Sequence, residues 1–97
     1  MFKKNLSVMW AFTEAGIMLH NTENNSFIEL NFVEEKIWRF IDGTFQPKEI
    51  ALLISKENLI SDVGELSNVV DRTIEKLKVE GFILQAYADI KREPTQI

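Results

Sequence analysis

At Asn31 the spacing of apolar residues changes, and this constrains the fold more than any other feature of the chain. Upstream, "SVMWAFT", "IMLHN" and "FIEL" place their apolar residues on alternating sides; downstream, from "FVEEKIWRFI" onward, apolar residues recur every three or four positions. A period of two belongs to half-buried strands and a period near 3.6 to amphipathic helices, so strands precede helices here. In the first predicted strand Val8, Trp10 and Phe12 share one side, with Ser7, Met9 and Ala11 on the other. The second and third strands flank the polar cluster "TENNS", whose Asn, Ser and Thr favour a turn, and together they form a hairpin. Ile17 and Leu19 share a face, as do Ile28 and Leu30, so a helix layer is expected over that face, with Phe27 pointing away beside Glu29.

The junction itself is well marked. Asn31 is a good N-cap and Glu34 follows three residues later, a capping-box spacing that satisfies free N–H groups at a helix start, so a helix begins at Phe32. Val33, Ile37, Phe40 and Ile41 supply its apolar stripe and Trp38 widens it, while Glu34, Glu35, Lys36 and Arg39 fall mostly on the other side. Asp42 and Gly43 are expected to provide a left-handed stop. Pro47 suits the first turn of a second helix with Glu49 near its positive end, and Ile50, Leu53 and Ile54 form its buried face up to about Lys56. A third helix, capped by Ser61 or Asp62, buries Val63, Leu66, Val70, Ile74 and Leu77. Gly81 closes it, and Phe82 and Ile83 tuck back against the core. The expected fold class is therefore α+β, a three-stranded antiparallel N-terminal sheet followed by three helices. Residues 1–84 form one domain, with 85–97 a mobile tail.

With 97 residues, 45% hydrophobic and 27% charged, the chain has the bulk for one core and the composition of an ordinary globular protein. It contains no cysteine, which excludes disulfides, Fe–S clusters and thiol nucleophiles. Asn5, Ser7, Thr13 and Glu14 interrupt the N-terminal apolar patch before it could serve as a signal core or membrane span, and a cytoplasmic location is expected.

Residues suited to chemistry are sparse. His20 is the lone histidine and has no acidic or thiol neighbour in its strand, so no metal site is expected and the ring is read as structural. Glu34 and Glu35 are adjacent and point in different directions around a helix, which does not suit paired acid–base work. Gly16, Gly43, Gly64 and Gly81 are scattered and form no phosphate-cradling loop. Met9, Met18, Trp10 and Trp38 are read as core rather than as the lining of a ligand cavity. No catalytic residue and no cofactor are expected.

The segments "GIMLHNTENNSFIELNFVEEKIWRFIDGTFQPKEIALLI" and "VVDRTIEKLKVEGFI" resemble PqqD-like proteins, the recognition elements that bind leader peptides of ribosomally made, post-translationally modified peptides. The resemblance runs from about Val8 to Leu84. It is carried by the strand leading into "LN", the "IW..IDG" helix end, the "EIA" of the second helix and the "L...GFI" close of the third. It implies a winged helix-turn-helix-like unit whose third strand is a sheet edge, with the leader peptide added as a further strand in the groove beside the third helix. An edge strand has unpaired N–H and C=O groups that an extended peptide can use, while side chains supply selectivity. Carried onto this sequence, the resemblance gives Ser26, Phe27, Ile28, Glu29 and Leu30 on the strand side and Val69, Arg72, Thr73 and Lys76 on the helix side. The implied partners are a precursor leader peptide and a maturation enzyme such as a radical-SAM enzyme, peptidase or cyclase, with no nucleic acid and no membrane. The rival reading is a winged-helix DNA-binding regulator. Against it, the third helix region carries Asp62, Glu65, Asp71, Glu75 and Glu80 against Arg72, Lys76 and Lys78, a net −2 where phosphate contact favours basic residues.

Overall fold

The structure, a computed structural model, describes residues 1–58 and 62–86. In chain order the elements are β1 (Phe2–Lys4), β2 (Val8–Phe12), β3 (Gly16–Asn21), β4 (Ser26–Asn31), α1 (Phe32–Phe40), α2 (Pro47–Asn58), α3 (Val63–Val79) and β5 (Ile83–Gln85). The three strands expected from the sequence are β2, β3 and β4, an antiparallel meander in that spatial order. The helices follow, and the class is α+β as anticipated.

Register fixes which side chains meet the helices. Trp10, Leu19 and Ile28 stand in one cross-strand row and Phe12, Ile17 and Leu30 in the next, all on the same face of the sheet. Ile17, Leu19 and Leu30 are buried, joined in the core by Ile37, Trp38 and Ile41, by Ile50, Ala51 and Ile54, and by Leu66, Val70, Ile74 and Leu77. Trp10 and Phe12 remain 56% and 70% exposed, because α1 packs over β3 and β4 and does not extend over β2. The reading of Met9 and Trp10 as core is therefore corrected: Met9 is exposed on the opposite face, and Trp10 leans edge-to-face against Phe12 beyond the helix layer.

A second, smaller sheet was not expected. β1 pairs antiparallel with β5, setting Phe2 opposite Gln85 and Lys4 opposite Ile83. The ribbon takes in Gln85, and the Ala86 N–H bonds Met1 O beyond it. The remainder of the expected tail, 87–97, lies outside the described residues, as does Ser61; Asp62 caps α3, its Oδ1 accepting the Glu65 N–H.

Helix ends differ in detail from expectation. α1 stops at Phe40 because Ile41 turns extended, so Asp42 and Gly43 lie beyond the stop. Gly43 has a left-handed φ of 89° and directs its N–H to Phe2 O, which returns the chain onto β1. α2 runs to Asn58, two residues past Lys56. Glu35, placed by its spacing on the polar side of α1, is buried, and the Arg39 side chain covers it with a bond of 2.6 Å from Nε. That hydrogen bond, then the carboxylate charge, raise the Arg39 pKa above its ordinary value.

Candidate functional site

The β4 strand is an edge, with β3 on one side and no strand on the other among the described residues. Two anchors fix it, one to the end of α3 and one to the start of α1. At its start, the end of α3 is closed by a left-handed Gly81 at φ 75°, with the Gly81 N–H bonded to Lys78 O and the Phe82 N–H to Leu77 O. This leaves Glu80 O free to accept Nδ2 of Asn21 at 2.8 Å and of Asn24 at 3.0 Å, while Ser26 Oγ donates to Glu80 Oε1 at 2.7 Å. The orphan carbonyl of a helix end is thereby satisfied by the β3–β4 hairpin. At its other end β4 runs directly into α1. Asn31 Oδ1 accepts the Glu34 N–H and Glu34 Oε1 accepts the Asn31 N–H, the reciprocal capping box foreseen in the sequence.

Between these anchors, α3 packs on α1, α2 and β5 and leaves the flank of β4 open. Where α3 faces the start of α1 lies a cleft of about 470 Å³ lined by Asn31, Val33, Glu34, Val69, Arg72, Thr73 and Lys76. Val69, Arg72, Thr73 and Lys76 are thus brought together. Thr73 is buried and spends its hydroxyl on Val69 O at 2.8 Å, which explains how a hydroxyl is accommodated at a core position. Lys76 Nζ lies 2.6 Å from Glu34 Oε2, an ion pair joining α3 to α1 across the cleft.

The strand-side residues separate into three environments. Ile28 is half-buried at the margin of the core, as is Val69 on the helix side, and Leu30 is fully buried. Phe27 and Glu29 point to the opposite face, where Phe27 stacks on His20 with ring centroids 4.1 Å apart. His20 Nε2 also pairs with Asn25 Oδ1 at 2.8 Å. Asn31, Val33 and Glu34 were not anticipated as lining residues. Val33, expected in the buried stripe of α1, is instead 40% exposed and lines the cleft. The available signal was the capping box, which fixes the first turn of α1 where β4 ends.

Among the described residues no group of three or more His, Cys, Asp or Glu is placed to hold a metal ion, and no helix is long and apolar enough to cross a membrane.

The sequence matches no family model and no curated protein. The fold, in contrast, is shared with solved structures over almost the entire length of each chain. It is similar to a lasso peptide synthetase B1 complexed with the leader peptide, at a TM-score of 0.72 and 18% identity, covering 87% of this chain and 98% of that one. It is also similar to TbiB1 in complex with the TbiA(beta) leader peptide, at a TM-score of 0.71 and 21% identity, covering 90% and 99%. At such identities the likeness defines the fold.

Proposed function

We propose that this chain is a non-catalytic recognition element that holds the leader peptide of a ribosomally synthesised, post-translationally modified peptide precursor as a strand added to β4, and delivers it to a separate modifying enzyme. The observation that carries the reading is the open β4 edge beside the α3 cleft. Edge N–H and C=O groups pair with any extended backbone, and the half-buried Ile28 and Val69 give its side chains an apolar margin to cover. The fold shared with two proteins solved with leader peptides supports the same reading. The reaction belongs to the partner, a radical-SAM enzyme, peptidase or cyclase, and capture of the leader raises the effective concentration of the attached core peptide there. The expected domain, residues 1–84, acts as one peptide-recognition unit in this scheme. DNA binding is the weaker reading, since Asp71, Glu75 and Glu80 are exposed along α3 and would repel phosphates.

The test is to titrate the leader and core halves of the cognate precursor separately, following amide exchange across the protein. The leader half is expected to bind with an affinity between roughly nanomolar and micromolar and to protect amides from Ser26 to Leu30, with little change in β2. Binding by the core half alone, or protection confined to β2 or to the surface of α2, overturns the proposal.

A further inference from the structure

The cleft beside β4 holds five polar side chains, Asn31, Glu34, Arg72, Thr73 and Lys76, and four of them are already engaged. Asn31 and Glu34 satisfy each other's backbone N–H groups, Glu34 also takes the Lys76 ammonium, and Thr73 bonds its own helix. Glu34 is therefore committed through both carboxylate oxygens, and Lys76 is neutralised in place. Arg72 is different: it is exposed on the cleft wall and makes no ion pair or side-chain hydrogen bond among the described residues. Beside it the cleft presents aliphatic surface, from Val69 one turn back on α3 and Val33 on α1.

Building on the groove reading above, we propose that Arg72 is the specificity-determining residue of the groove, and that the groove selects extended peptides with an acidic side chain two positions from an aliphatic one. The spacing follows from geometry. Residues three apart on a helix lie on one face about 5–6 Å apart, and alternate residues of a strand project to the same side about 6–7 Å apart. Val69 and Arg72 thus match alternate side chains of a strand lying along β4. A guanidinium presents a planar fork of donors that a carboxylate accepts through both oxygens, whereas an amide of the same shape offers one acceptor and no charge. Lys76 contributes by holding Glu34, which keeps that carboxylate from repelling the acidic group of the peptide.

Selection from a displayed library of random dodecapeptides tests this, run in parallel on the wild-type protein, Arg72→Glu and Lys76→Gln, with bound peptides then mapped by amide exchange. The wild type is expected to enrich Asp or Glu two positions from Leu, Ile or Val, and converting that acid to its amide should lower affinity by about tenfold or more. Arg72→Glu should turn the enrichment toward Lys and Arg, while in Lys76→Gln, where Glu34 is released, the acid preference should weaken but persist. Peptides that protect β4 without an acid preference, or a preference lost in Lys76→Gln and kept in Arg72→Glu, overturn the role of Arg72 and leave the groove reading intact. Absence of enrichment, or protection away from β4, removes the groove reading and the role of Arg72 with it.

Discussion

β2 and β4 are the two edges of one sheet, equal partners of β3, yet they end in opposite situations. On β4 the inward row finds a helix: Leu30 is fully buried, and Ile28 lies half-covered at the core margin. On β2 the same rows end in Trp10 and Phe12, both more exposed than covered. The difference comes from connectivity. β4 runs without a loop into α1, so the helix layer is laid over that side of the sheet, whereas β2 is joined to β3 by a hairpin and is covered only at its first residue, Val8. Two strands with similar apolar alternation can therefore differ in role: one edge sits beside a helix-lined cleft, and the other exposes a bare aromatic pair. An alternating pattern identifies a face and leaves open whether anything lies across from it.

Truncation along a single row is the strongest challenge to this contrast. Leu30→Ala should cost about 2–5 kcal/mol, as large-to-small core changes do, while Phe12→Ala in the same row should cost less than about 1 kcal/mol. Chemical denaturation of the two variants gives the answer, and equal losses would mean that the helix layer covers both edges. The next effect tests the connection itself. Asn31→Ala removes one half of the capping box and should cost about 0.5–2 kcal/mol, with amide exchange in β4 and the first turn of α1 rising while β2 is unchanged.

The smallest effect lies away from both edges. Lys4 Nζ donates to Ile41 O at 2.9 Å and sits 5.0 Å from the centre of the Trp38 ring, closing the end of α1. Lys4→Met should cost about 1 kcal/mol and leave peptide binding unaltered. Burial lowers the Lys4 pKa from its ordinary 10.5, with Asp42 opposing. Between the lowered value and the ordinary one the unfolded chain binds more protons than the folded one, so the stability of the wild type relative to Lys4→Met should increase as pH rises through that alkaline window. A difference titration by denaturation measures it; a gap that narrows with pH would contradict the burial.

Much of this was legible in the sequence where the signal is local. The Asn31 and Glu34 capping box, the spacing of Leu66, Val70, Ile74 and Leu77, and the left-handed Gly81 each depend on residues within a turn or two of one another. The β1–β5 ribbon was not legible because each strand has three residues, too few to show a period, and its partners lie at opposite ends of the chain. Glu35 was misplaced because its burial depends on being covered by Arg39, and periodicity sorts residues by type. On the cleft, the helix-side residues were anticipated from a resemblance in which α3 lines the groove. Val33 was missed because a stripe of helical spacing does not reveal that a cleft separates the first turn of α1 from α3.

The ribbon also determines how the domain would respond to being pulled. Phe2 lies opposite Gln85 and Lys4 opposite Ile83, so both ends of the described fold emerge at the same end of the ribbon. A load applied through Met1 and Ala86 would meet the bonds of that ribbon one after another, as in unzipping, and would not strain them all together as a shear would. The point where the chain enters and leaves is mechanically soft, and tension from attached polypeptide would be released there first, before it reached the β4 edge.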